Sequence, residues 1–160
     1  MKVLVLYYSK GGNTRKLAEA IAEGVGQTDG VEVVLRHTRD VTRDDFASAE
    51  GLIVGSPVYF GTMAAQLKKV LDDFIGVRKK MENKVGAAFS TSGDPSGGKE
   101  TTMMSIIQAL MIYGMIIVGD PMSATGHYGT ACAGEPDAAA RENGRRLGRR
   151  VAELVKQLHR

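Results

Sequence analysis

The stretch that most constrains this chain is Val3-Leu-Val-Leu-Tyr-Tyr8 followed by Ser9-Lys-Gly-Gly-Asn-Thr14. Six apolar or aromatic residues without polar alternation read as a strand buried on both faces. A tight loop of small and polar residues comes next. Helical spacing then begins at once. Leu17, Ala18, Ile21, Ala22 and Val25 share one face, with Lys16, Glu19 and Glu23 on the other. A helix that starts directly after a glycine-rich turn leaves its first N–H groups without partners. Gly11 and Gly12 permit close approach to the backbone. The helix dipole favours negative charge at that end. Ser9, Asn13 and Thr14 add side-chain donors. The loop is therefore expected to hold a phosphate. It matches neither G-x-x-x-x-G-K-[ST] nor G-x-G-x-x-G, which excludes the usual triphosphate and dinucleotide fingerprints. A plain turn between strand and helix is the alternative.

The same alternation runs through the rest of the chain. Short apolar runs fall at 31–35, 51–55, 84–89 and 115–118. Between them, Met63, Leu67, Val70, Leu71 and Phe74 mark one helix, and Met103, Ile106, Ile107 and Leu110 mark another, which runs to Tyr113-Gly114. Leu147, Val151, Leu154, Val155 and Leu158 mark the last. Residues 36–48 are polar and aperiodic, with Asp44 a candidate cap for a short turn. Residues 119–135 read as a long loop. Five strands alternating with helices call for a parallel sheet with right-handed crossovers and helices on both faces. The predicted class is α/β, a doubly wound five-stranded sheet of order 2-1-3-4-5. No repeat or linker interrupts it, so residues 1–160 are expected to form one domain.

In that order the ligand crevice lies outside the carboxyl ends of strands 1 and 3. Loops 9–14, 56–62 and 90–98 meet there. The second carries Tyr59 and Phe60, which offer flat apolar surface, and Gly61, which adopts either sign of φ. The third offers hydroxyls and backbone N–H groups. A planar, polar-edged ring with a phosphate tail satisfies all three, and flavin mononucleotide (FMN) has that shape. The charge balance of +3 is compatible with an anionic ligand but does not argue for nucleic acid. Cys132 is the only cysteine, which excludes an internal disulfide and an all-cysteine metal site. No stretch approaches the roughly 20 apolar residues of a membrane span. The chain enters a strand at once, so no signal peptide and no membrane insertion are expected, and a cytoplasmic location is.

Ser9-Lys-Gly-Gly-Asn-Thr14 resembles the FMN phosphate loop of the flavodoxin superfamily. Gly55-Ser-Pro-Val-Tyr-Phe-Gly-Thr-Met-Ala-Ala-Gln-Leu-Lys68 is similar to the isoalloxazine loop and following helix of the type IV NAD(P)H:quinone oxidoreductases. Ser90-Thr-Ser-Gly93, Gly97-Gly-Lys-Glu100 and Tyr113-Gly-Met115 resemble the same branch. The resemblance covers nearly the whole chain and implies a flavodoxin-like fold with bound FMN. By that resemblance Ser9, Asn13, Thr14 and the backbone of Gly11 and Gly12 bind the phosphate. Pro57, Val58, Tyr59, Phe60, Gly61 and Thr62 run along the isoalloxazine edge. Thr91, Ser92 and Gly93 lie by the pyrimidine edge and ribityl chain. No catalytic side chain is implied, because the flavin carries the chemistry. NAD(P)H is the implied donor and a quinone or similar molecule the acceptor. The alternative is an electron carrier between redox protein partners. The basic charge and closer motif match favour the enzyme, the short length the carrier. The branch forms dimers and tetramers, so a homodimer or homotetramer is expected, with loop 119–135 placed to complete a neighbour's site.

Tyr113, His127 and Tyr128 are the candidate acceptor pocket. Tyr7 and Tyr8 are expected in the core, and His37 and His159 at the surface. Cys132 reads as a small buried residue. The five arginines of 141–150 read as a solvated helix face, and the methionines as packing.

Overall fold

The computed structural model describes residues 1–159. In chain order it contains β1 (Lys2–Tyr7), α1 (Asn13–Gly26), β2 (Glu32–His37), α2 (Arg43–Ser48), β3 (Gly51–Pro57) and α3 (Ala65–Asp73). A 3₁₀ helix (Ile75–Lys80), β4 (Val85–Ser92), α4 (Lys99–Ile112), β5 (Ile116–Ile117), β6 (Gly129–Ala133) and α5 (Ala138–Leu158) complete it. The sheet is parallel throughout, in the order β2-β1-β3-β4-β5, as the alternation predicts. Among the described residues no helix is long and apolar enough to cross a membrane.

The last sheet position differs from the expectation. It is filled by two strands: β5 pairs only with Val85 and Gly86, whereas β6 pairs with Ala88 through Ser92. The edge strand is thus broken, with residues 118–128 looping out, and the reading of 119–135 as one loop fails over 129–133. Gly129-Thr-Ala-Cys-Ala133 lacks the large β-branched residues that announce a strand. It is extended because β4 presents an unpaired edge there. β4 also runs three residues past Phe89, and β3 two past Gly55, so Thr91 and Ser92 are strand residues rather than loop residues.

Successive residues of the central strands feed two cores, one on each face of the sheet. Leu4, Leu6, Leu52, Val54 and Ala88 pack with Leu67, Leu71, Ile106 and Leu110 of α3 and α4. Val3, Val5, Tyr7, Ile53 and Phe89 pack with Leu17, Ile21, Leu147 and Val151 of α1 and α5. Each large side chain removed from water contributes about 1.5–3 kcal/mol, which accounts for the unbroken apolar runs of β1 and β3. The aperiodic segment 36–48 contains α2, and its cap is Thr42 rather than Asp44. Thr42 Oγ1 accepts from Asp45 N (3.1 Å), and the Asp45 carboxylate accepts from Thr42 N (3.0 Å), which is a capping box.

Helices α1 and α5 meet backbone to backbone. A β-carbon at Gly24 would fall 2.0 Å from Arg145 O, and one at Gly148 would fall 2.1 Å from Ile21 O. The arginines of α5 are not a solvated face. They are partly buried, and two of them clamp this seam: Arg145 donates to Glu23 (2.8 Å) and Arg149 to the Gln27 side-chain carbonyl (2.5 Å). Gly148→Ala is expected to cost about 2 kcal/mol or more, because backbone rather than a flexible side chain must move. Gly144→Ala, whose β-carbon meets only side chains at 3.2 Å and beyond, should cost less. Urea unfolding checks both: the midpoint falls at an unchanged m-value.

Candidate functional site

Loop 9–14 leaves β1 with Tyr8 N bonded to Gly55 O (3.1 Å), which holds its start against β3. Gly12, at φ 96°, is the N-cap of α1, and no side chain caps that helix. Ser9 Oγ accepts from Gly12 N (3.1 Å) and curls the loop. The N–H groups of Lys10, Gly11, Asn13 and Thr14 have no acceptor among the described residues. Such orphaned donors at a helix start form an anion site. Thr14 Oγ1 lies 2.8 Å from Thr91 Oγ1, a buried pair that ties α1 to β4.

The second loop is pinned at both ends. Val58 N donates to Thr91 O (2.8 Å). The buried Ser56 Oγ accepts from Ala64 N (2.8 Å) and donates to Pro57 O (2.7 Å). Met63 N donates to Ser105 Oγ (3.2 Å). Between these pins Tyr59 and Thr62 exchange backbone hydrogen bonds of 3.0 and 3.2 Å. Phe60 (φ 50°) and Gly61 (φ 77°) form the turn, both left-handed as a two-residue hairpin of this kind requires. Phe60 is a bulky residue in that region, a strain of order 1–3 kcal/mol. Its ring is wholly exposed. The third loop touches the second: a β-carbon at Gly98 (φ 100°) would lie 3.1 Å from Gly61 Cα.

These loops enclose a crevice of about 500 Å³ at the carboxyl edge of the sheet. Ser9, Lys10, Gly11, Asn13 and Thr14 line one end; Thr91, Ser92 and Gly93 line the middle; Pro57, Val58 and Tyr59 line the other end. Of the residues expected at the site, Gly12 supports the loop, while Phe60, Gly61 and Thr62 form the hairpin beside the crevice rather than its lining. The lining carries one charge, Lys10, and no carboxylate. Unpaired donors at one end and apolar surface at the other fit a ligand with a phosphate tail and a flat ring. Ser56 and Ser105, which hold the second loop, were not singled out from sequence; lone serines carry no signal until their partners are known.

The expected acceptor pocket does not form as one group. Tyr113 is buried, and its hydroxyl donates to Leu71 O (2.6 Å). Burial, with Asp72 adding to it, pushes the phenol up to about 12. It precedes β5, which pairs with the first residues of β4, and so lies at the edge of the sheet opposite the crevice. His127 and Tyr128 line a different cavity, of about 290 Å³, with Lys99, Glu100 and Asn143. The loop that carries them is held by buried Asp120. Its carboxylate accepts from Thr125 N and Oγ1 (2.9 and 2.5 Å), Gly126 N (3.2 Å) and His127 N (2.7 Å). Burial opposes ionisation of Asp120, but the donors from Thr125 and His127 outweigh it and hold the carboxyl below its usual range. Arg150 donates to Gly119 O (3.0 Å) and Asp120 O (2.9 Å) and so ties the loop to α5. Cys132 is half-buried in β6; burial, then Asp137, pushes its thiol to about 11, which leaves almost no thiolate near neutrality. His37 is partly buried at the surface, edge-on to Tyr7 at 5.3 Å and tilted against Tyr8 at 5.6 Å, while Tyr8 meets Tyr59 at 6.3 Å.

Comparison with known proteins agrees with this geometry. The family model described as "NADPH-dependent FMN reductase" matches residues 1–130. A protein named flavodoxin from Aquifex aeolicus is 42% identical over 160 residues, covering 96% of this chain and 86% of its own. One named NAD(P)H dehydrogenase (quinone) from Archaeoglobus fulgidus is 33% identical, covering 98% of each. Among solved structures, a flavodoxin from the domain Archaea superposes with a TM-score of 0.81 at 30% identity, covering 98% of this chain and 99% of that one. The uncapped phosphate loop, the sheet order and these matches agree: the chain belongs to the NADPH-dependent FMN reductase family of the flavodoxin-like superfamily.

Proposed function

We propose that the protein binds FMN in the crevice of loops 9–14, 56–62 and 90–98 and oxidises NAD(P)H, passing the electrons to a quinone or similar acceptor. The observation that carries this is the set of four unpaired N–H groups at the start of α1, which face a crevice without a carboxylate. Bound FMN supplies the hydride and electron transfer. The chain's own residues bind and orient. Ser9, Asn13 and Thr14, with the backbone of Gly11 and Gly12, hold the phosphate. Thr91, Ser92 and Gly93 hold the polar edge and ribityl chain, and the 57–62 segment borders the ring. The second reading, a carrier of electrons between proteins, is favoured by the flavodoxin name of the 42% relative. A homodimer or homotetramer is part of the proposal. Met104, Met111, Ile112 and Ile116 leave apolar surface exposed on α4 and β5, of the kind a second subunit covers. Action in the cytoplasm belongs to it too.

The FMN-loaded protein should oxidise NADPH or NADH in the presence of a quinone with a kcat on the order of 1–10³ s⁻¹. No nucleotide consumption, with electrons accepted only from a reductase protein, would leave the carrier reading. Thr14→Val leaves the Thr91 hydroxyl buried without its partner and removes a phosphate donor. FMN affinity should fall about tenfold or more, read from the fluorescence of released flavin. Gly61→Ala has room, since its β-carbon meets only Thr101 Oγ1 at 3.7 Å, but it disfavours φ 77°. A cost of about 1 kcal/mol on one hairpin conformation corresponds to about 20 mV for a two-electron couple. Unchanged potentials in a redox titration would show that the Gly61 peptide does not tune the flavin.

A further inference from the structure

We infer that the outer side of the phosphate loop is a second anion site, and that it takes the 2′-phosphate of NADPH. This rests on the reading that the protein uses a nicotinamide nucleotide. Behind loop 9–14, away from the crevice, lies a pocket of about 300 Å³ whose walls include Tyr7, Lys10, Arg15, His37 and Arg39. It shares Ser9, Lys10 and Gly11 with the crevice, so the loop is the wall between the two. Tyr7 is 9% exposed, and its hydroxyl lines this pocket without a hydrogen-bond partner among the described residues. A phenol that no protein group engages, at the wall of a pocket open to solvent, is free to donate to a ligand oxygen.

The charged groups around it are placed for the same task. Arg15 uses only Nε, toward Glu19 at 3.5 Å, and Arg39 only Nε, toward Asp40 at 3.4 Å. The terminal nitrogens of both guanidinium groups have no partner among the described residues. Planar guanidinium donors match phosphate oxygens. His37 Nδ1 accepts from Arg39 N (3.2 Å), which leaves the proton on Nε2 as one more donor. Glu19 and Asp40 reduce the local charge, but Lys10 keeps the pocket net positive. The crevice itself has no guanidinium; its one cation is Lys10, which also lines the outer pocket. The arginines of α5 that line a separate pocket with Pro121 and Glu153 are engaged: Arg146 donates to Glu142 and Ser123 O, Arg149 to the Gln27 side-chain carbonyl, and Arg150 to Gly119 O and Asp120 O.

The test is calorimetric titration of the FMN-loaded protein with 2′,5′-ADP, 5′-AMP and inorganic phosphate. The expected result is binding of 2′,5′-ADP at least tenfold tighter than either of the others. R15Q/R39Q should abolish that preference while retaining its FMN, and should raise KM for NADPH but not for NADH. Tyr7→Phe should weaken 2′,5′-ADP several-fold. No preference in the unmodified protein overturns the inference. So does inorganic phosphate binding as tightly as 2′,5′-ADP, which would make this a bare anion site. Loss of FMN from R15Q/R39Q also overturns it, because those residues would then serve the flavin's own phosphate. If 2′,5′-ADP binds as expected but NADPH is not oxidised, the site stands and the enzyme reading fails.

Discussion

The ring of Phe89 lies across Gly55, where any β-carbon would sit about 2.0 Å from it. That contact sets the register in which Tyr7, Gly55 and Phe89 stand side by side on β1, β3 and β4. A one-residue slip would turn each strand's inward set to the other face. With the register held, three parallel strands end at the same edge and their loops depart in the same direction. Tyr8 N can then reach Gly55 O, Val58 N can reach Thr91 O, and Thr14 can meet Thr91. The crevice is a consequence of strand register before it is a consequence of any loop sequence.

What was legible in the sequence follows from how local each signal is. The apolar runs of β1 and β3 and the helical spacing of α1, α3, α4 and α5 depend on neighbours within a few residues, and they predict the element order and sheet order found. The phosphate loop is equally local: strand, two glycines, helix. β6 is not, because Gly129-Thr-Ala-Cys-Ala133 becomes a strand only through the free edge of β4. Tyr113 misled for the same reason. Its aromatic ring and its place after α4 are visible in sequence, but the Leu71 carbonyl that accepts its hydrogen bond is 42 residues away. The arginine run looked solvated since the glycines that bring α1 against α5 have no helical signature of their own.

The two ends of the crevice are built on opposite principles. At the phosphate end the protein leaves donors unsatisfied and adds little charge, so a ligand gains hydrogen bonds that the chain does not make for itself. At the ring end the second loop is held by the chain itself. Ser56, Ser105 and the Tyr59–Thr62 pair close the second loop on itself, and Gly98 lies against Gly61. Anchoring therefore resides in a loop that is complete only with its ligand, and positioning in a loop whose shape the chain itself fixes.

This division explains why the strain sits at Phe60. A hairpin of two left-handed residues is cheap when both are glycine or asparagine. Here one is phenylalanine, and its ring gains no burial in return. The pinned ends over-determine the turn and hold the residue in place. An exposed aromatic ring held rigidly beside a flavin-sized crevice has one physical use that burial in this chain does not provide, which is contact with something outside it. On the proposed reading that partner is the electron acceptor, a quinone or another protein. The 57–62 hairpin is then where the acceptor is met, while the crevice side of the phosphate loop with which β1 ends holds the cofactor.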